Sequence, residues 1–170
     1  MITPAYAQTM ARYNRWQNQC IVGCAGKLTA AQRKENRGAF FGSVHGTLCH
    51  LMFGDRAWMW RFTKDDTLKP AIKSTGETAT FIADWDELLA GRAALDARII
   101  DWASKLTDAD LAGDLTYHSV SANRQSTKPM GLLVAHMFNH QTHHRGQVHA
   151  LLTGFGLSPE DTDMPAMPAS

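Results

Sequence analysis

Charge is scarce in this sequence. Asp, Glu, Lys and Arg make up 19% of its 170 residues, below the roughly 25% usual in soluble domains. The 17 basic and 16 acidic side chains leave a formal net charge of +1 and form no basic block. The electrostatic footprint of a nucleic-acid binder is therefore missing, and no nucleic-acid partner is expected. No uninterrupted apolar run reaches the roughly 18 residues a membrane span needs, so no membrane partner is expected either. The opening MITPAYAQTM has neither the basic start nor the apolar stretch of a secretion signal, so a cytoplasmic location is expected. Cysteine is limited to Cys20, Cys24 and Cys49, an odd set without CxxC spacing, so neither a disulfide framework nor a zinc knuckle is encoded. What remains is apolar: AVILMFWYC account for 44%, enough for a core plus one further apolar face, as at a homodimer contact.

The length suits one domain. Helical spacing runs over about 3–27 (Tyr6, Met10, Tyr13, Gln17, Cys20, Cys24), with Pro4 in the tolerant first turn. Thr29 and Gln32 have capping-box spacing and predict a short helical turn before Gly38. A second long helix is expected over about 40–62 and a surface loop through TKDDTLKPAIKSTGET. The third covers about 79–106, where Phe81, Trp85, Leu88, Leu95, Ile99, Trp102 and Leu106 share a stripe. Between Thr107 and Lys128 an irregular crossover or short hairpin is expected, then a helix from Pro129 to about Leu152 or Thr153, ending at TGFG. The predicted fold class is all-α, a four-helix bundle with a short irregular or hairpin crossover before its last helix. Its domain would span 1–158, with a loosely held proline-rich tail over 159–170.

Histidine is concentrated rather than scarce. Residues 136–149, HMFNHQTHHRGQVH, hold five of the chain's eight. At about 100° per residue, with His140 as zero, Leu133 and Leu151 fall near +20°, Gln147 near −20°, His144 near +40° and Met137 near +60°. His140 and His144 thus lie in the apolar stripe. His136 and His143 sit on its shoulder, and His149 faces the other way. An i, i+4 pair of imidazoles can hold one ion, but two ligands hold it weakly, so a third from another helix is needed: His45, His50 or His118. His45 and His50 differ by about 140° and cannot both face that ion. His50 is surrounded by Ser43, Gly46, Thr47, Gly54 and Ala57, a small-residue strip that fits either a close helix contact or a small cavity. Spacing alone leaves core packing and metal binding both open.

The stretches GTLCHLMFGDRAWMWRF at 46–62 and FNHQTHHRGQVHALL at 138–152, with ARYNRWQN in the first helix, closely resemble the DinB (damage-inducible) family of four-helix-bundle proteins. The resemblance implies metal ligands at His50, His140 and His144, with His136 and His143 beside them or lining a pocket. Cys49 departs from the asparagine common in the family's GTLNH, which bears on helix packing there. The resemblance also implies relatives that use a divalent metal ion to activate a low-molecular-weight thiol; three imidazoles suit zinc, nickel, copper or iron, and one zinc or nickel ion per chain is expected.

Three neutral imidazoles leave positions open on an ion, as in a catalytic site. The expected activity is a metal-dependent transferase in which a small thiol, activated as its thiolate, attacks an electrophilic small-molecule substrate. The alternatives are a non-catalytic metal-binding stress-response protein and a metal-dependent hydrolase. The second lacks an evident general base, because Asp55 points about 140° away from His50. Arg61 lies on the side of His50 and is a candidate for holding a substrate carboxylate or for a solvated helix end. Gln147 is a candidate for orienting a ligand imidazole, and Arg145 for a structural ion pair.

Overall fold

The computed structural model describes residues 1–71, 75–119 and 123–169. Parts of the expected loop (72–74) and crossover (120–122), and the last residue of the tail, lie outside them. Among the described residues the chain is mostly helical with one small sheet. Helix α1 spans Pro4–Ala25, α2 Ala30–Lys34, α3 Val44–Thr63, α4 Trp85–Lys105, α5 Asp108–Ala112 and α6 Met130–Gly154. Strands β1 (Asp114–Ser119) and β2 (Arg124–Pro129) pair antiparallel, Asp114 facing Pro129 and Ser119 facing Arg124. The Thr107–Lys128 segment therefore contains a hairpin, preceded by a short helix that periodicity did not reveal.

Side-chain caps fix the starts of α1 to α5, whereas α6 follows Pro129 without one. The expected Thr29–Gln32 capping box is present at α2. Two boundaries differ from expectation. The second long helix begins at Val44 rather than 40, because Gly38 and Gly42 both adopt positive φ and Ser43 Oγ accepts from the Gly46 amide, closing a tight turn over 39–42 first. The third begins at Trp85 rather than 79, because Asp84 caps Glu87 while Thr75–Thr80 winds as a separate 3₁₀ segment. Capping overrides apolar spacing here, since an uncapped start leaves amide donors without partners.

The four long helices pack in a ring: α1 on α4 and α6, and α3 on α6 and α4. Phe138, Met137, Val134, Leu51, Met52, Leu88 and Ile99 are almost fully buried in the shared core. Each such side chain contributes about 1.5–3 kcal/mol. At the centre Arg92 of α4 forks to Asp55 of α3 (2.7 Å) and to Asp96 (2.8 Å), and Asn18 of α1 donates to Asp96 at 2.9 Å. Arg145 is also buried. It donates to Gln141 Oε1 and Thr142 Oγ1 on its own helix rather than forming the expected ion pair.

The tail, expected to be loosely held, is tied to α1. Tyr13 and Gln17 donate to the Thr162 and Asp161 carbonyls, and the Cys20 thiol donates to Glu160. All three cysteines are buried thiols. Among the described residues, no helix is long and apolar enough to cross a membrane.

Candidate metal centre

The packing of α3 on α6 brings His50, His140 and His144 together, with one ring nitrogen of each within 4.8 Å of the others. On α6, His140 and His144 are one turn apart and therefore share a face. Opposite them on α3, Gly54 sits one turn after His50. A β-carbon at Gly54 would lie 2.8 Å from His140 Cε1, so only glycine leaves room for this imidazole. The small-residue strip thus serves both of its expected uses, a close contact at Gly54 and a cavity beside His50.

Hydrogen bonds set the ring orientations. The Thr78 hydroxyl lies 2.9 Å from His50 Nδ1, and His144 Nδ1 donates to Gln147 Oε1 at 2.7 Å. Both rings therefore present Nε2 toward the cluster. His50 Nε2 and His140 Nε2 are 3.0 Å apart, while His140 Nδ1 is buried without a partner. Phe41 stacks on His50 with centroids 3.7 Å apart and planes 18° from parallel.

Burial holds the rings neutral. The His50 pKa falls to about 4, from burial first and then from nearby His144. The His140 pKa falls to about 3 from burial and then from its histidine neighbours, His144 foremost. His144 is also lowered by burial, against the opposing bond to Gln147. These imidazoles gain protons more easily in the unfolded chain than in the folded one, so the metal-free protein loses stability as pH falls below about 6.5 toward 4. The expected loss between pH 7 and pH 5 is about 1 kcal/mol or more, allowing for partial solvent screening of the rings. Urea denaturation of chelator-treated protein at the two pH values measures it, and an unchanged midpoint would contradict it.

The donor set fits a divalent transition-metal ion. Neutral imidazoles are its usual nitrogen ligands. At bond lengths of about 2.0–2.1 Å, two nitrogens on one ion stand about 3.0–3.4 Å apart, and the His50–His140 pair has that spacing. The pairing of the far nitrogens of His50 and His144 with Thr78 and Gln147 matches how ligating histidines are held.

Other histidines are placed elsewhere. His45 bonds the Ile82 carbonyl at 2.8 Å, and His118 is exposed on β1. His136 packs edge-on against Trp58 with its ring 5.9 Å from His140. His143 lies edge-on to His144 at 4.8 Å. Neither joins the three-nitrogen group. His149 lines a separate cavity with Tyr13, Gln17 and Arg145. Arg61 lies over the Trp58 and Tyr117 rings with Nη2 3.4 Å from the His118 carbonyl, so it is neither a solvated helix end nor a wall of the cavity beside the cluster. That cavity, about 690 Å³, is lined by Phe40, Phe41, His50, Gly76, Ala79, His143, His144 and Gln147. Thr78 and the two phenylalanines escaped the sequence reading because they lie outside the α-helices, where no periodicity points to a shared face.

The fold and the site define a class: mostly helical proteins with a three-histidine group able to hold a metal ion. This chain belongs to the DinB family, whose family model matches residues 1–170. Comparison with curated proteins and with solved structures finds no match.

Proposed function

We propose that this protein is a metal-dependent transferase that binds one zinc or nickel ion through His50, His140 and His144 and activates a low-molecular-weight thiol toward an electrophilic substrate. We read it as a cytoplasmic homodimer whose four-helix bundle covers 1–158. The observation that carries the activity is the open side of the histidine group. Its three nitrogens converge without a fourth His, Cys, Asp or Glu among the described residues, and His50 and His144 line a cavity of about 690 Å³, within the usual range for small-molecule sites. A divalent ion held there would lower the pKa of a thiol bound to it and raise the thiolate fraction at neutral pH.

The protein's own groups position the reactants. Thr78 and Gln147 orient the rings of His50 and His144, Phe41 covers one face of His50, and His143 contributes a polar rim. Among the described residues no carboxylate lines the cavity to take a proton from water, which favours thiol transfer over hydrolysis.

The test is the pH dependence of glutathione reacting with a chromogenic aryl halide in the presence of zinc-loaded protein. The apparent thiol pKa is expected to fall by at least about one unit relative to free glutathione. A profile identical with and without zinc-loaded protein would refute the transferase reading and leave a metal-binding protein.

Gly54→Ala separates the metal site from the fold. The added methyl gains about 1 kcal/mol in helix propensity but displaces the His140 ring, whose Cε1 would be 2.8 Å away. Zinc affinity is expected to drop by about tenfold or more, a loss typical of a disturbed metal site, with helical content unchanged by circular dichroism. Unchanged affinity would mean that His140 need not hold this position.

A further inference from the structure

The turn at Ala39–Phe40–Phe41–Gly42 is chemically odd. The Gly42 amide bonds the Ala39 carbonyl and the Arg37 amide bonds the Gly42 carbonyl, each at 2.8 Å, so the segment is a tight turn with phenylalanine at both central positions. Turn geometry favours Gly, Asn, Asp, Ser or Pro there and gives no reason for two large aromatic rings. Local rules are broken in this way chiefly at functional sites. Phe41 turns inward onto His50. Phe40 lies edge-on to Phe41 at 4.9 Å and is 83% exposed, yet its ring forms part of the cavity wall.

Opposite the turn, α6 supplies His143 and Gln147, and the Thr75–Thr80 segment supplies Gly76 and Ala79. Among the described residues, no Lys, Arg, Asp or Glu lines this space. A carboxylate, phosphate or ammonium group entering it would lose water without gaining an ion pair. A flat apolar group would cover the exposed Phe40 ring and gain both burial and aromatic contact.

We propose that Phe40 and Phe41 form an aromatic clamp and that the cavity takes the planar, uncharged part of the substrate, a ring or conjugated system. Its reactive end would point toward His50 and His144. The reactive-end assignment rests on the transferase reading, whereas the clamp itself does not. Phe40 is then a specificity-determining residue, and charged analogues of the same shape are discriminated against.

The test uses naphthol and naphthoate as matched uncharged and anionic probes, titrated by fluorescence into the full-length protein after chelation and again with zinc restored. In the chelated protein, naphthol is expected to bind at least about tenfold more tightly than naphthoate. Phe40→Ser, a change at an exposed position, is expected to weaken naphthol binding by about tenfold, the order expected for loss of one aromatic contact together with its buried area. Phe40→Tyr is expected to retain it. Equal naphthol binding by wild type and Phe40→Ser overturns the proposal, as does naphthoate binding as tightly as naphthol in the chelated protein. Phe40-dependent binding without thiol transfer would leave the clamp standing and refute only the transferase, and transfer with Phe40-independent naphthol binding would do the reverse.

Discussion

In the His140→Ala protein, the divalent metal content of untagged protein purified without chelator is expected to fall from about one per chain to near zero, and zinc affinity to weaken by more than about a hundredfold. Loss of an outer hydrogen-bond partner of a ligand already costs about 10–100-fold, and removal of a ligand costs more. His140 is central to the group: its Nε2 is 3.0 Å from His50 Nε2, and its ring is 4.5 Å from that of His144. Without it, two imidazoles on different helices remain, too few to hold an ion firmly. His149→Ala supplies the control, because that ring lines the separate cavity with Tyr13 and Arg145 and is expected to leave metal content unchanged. Equal loss from both substitutions, by elemental analysis, would overturn the ligand assignment.

Arg92→Leu is expected to destabilise the protein by about 3–5 kcal/mol, the usual cost of leaving a buried charge without its partner. Arg92 is the cation that forks to both Asp55 and Asp96, whose side chains are 0% and 4% exposed. Its removal strands two carboxylates in the core. Against a typical total of 5–15 kcal/mol, such a loss is a large fraction of stability. Arg92→Lys is expected to recover only part of it, because one ammonium cannot reproduce the planar two-pronged contact. Urea denaturation measures both. A loss under about 1 kcal/mol for Arg92→Leu would show that the carboxylates shed their charge or find another partner.

The ring of long helices was legible because buried faces repeat every three, four or seven residues, as Leu88, Leu95, Ile99 and Ala103 do on α4. The candidate ligands were partly legible for the same reason. His140 and His144 fall in the apolar stripe of α6, and the rotation between His45 and His50 allowed only one of them to face a shared ion. Where capping residues or glycines compete with apolar spacing, periodicity misled. Phe40 and Phe41 read as the start of a helix, but Gly42 at positive φ and the Ser43 cap turn the chain before the helix begins. Phe81 fits the stripe of α4 by spacing, yet it precedes the Asp84 cap and packs against Phe53 instead. Arg145 invited an ion pair, but its hydrogen-bond acceptors proved to be an amide and a hydroxyl oxygen.

By itself, the sequence determined the helical class, the family and the inward turn of His50, His140 and His144, because periodicity and motif spacing are local properties of the chain. Only the tertiary structure decided that Thr78, 28 residues from His50, would fix its ring, that Gly54 would make room for His140, and that two turn phenylalanines would wall the cavity. Such contacts join segments remote in sequence, and their geometry exists only once helix packing has set the distance and angle between them.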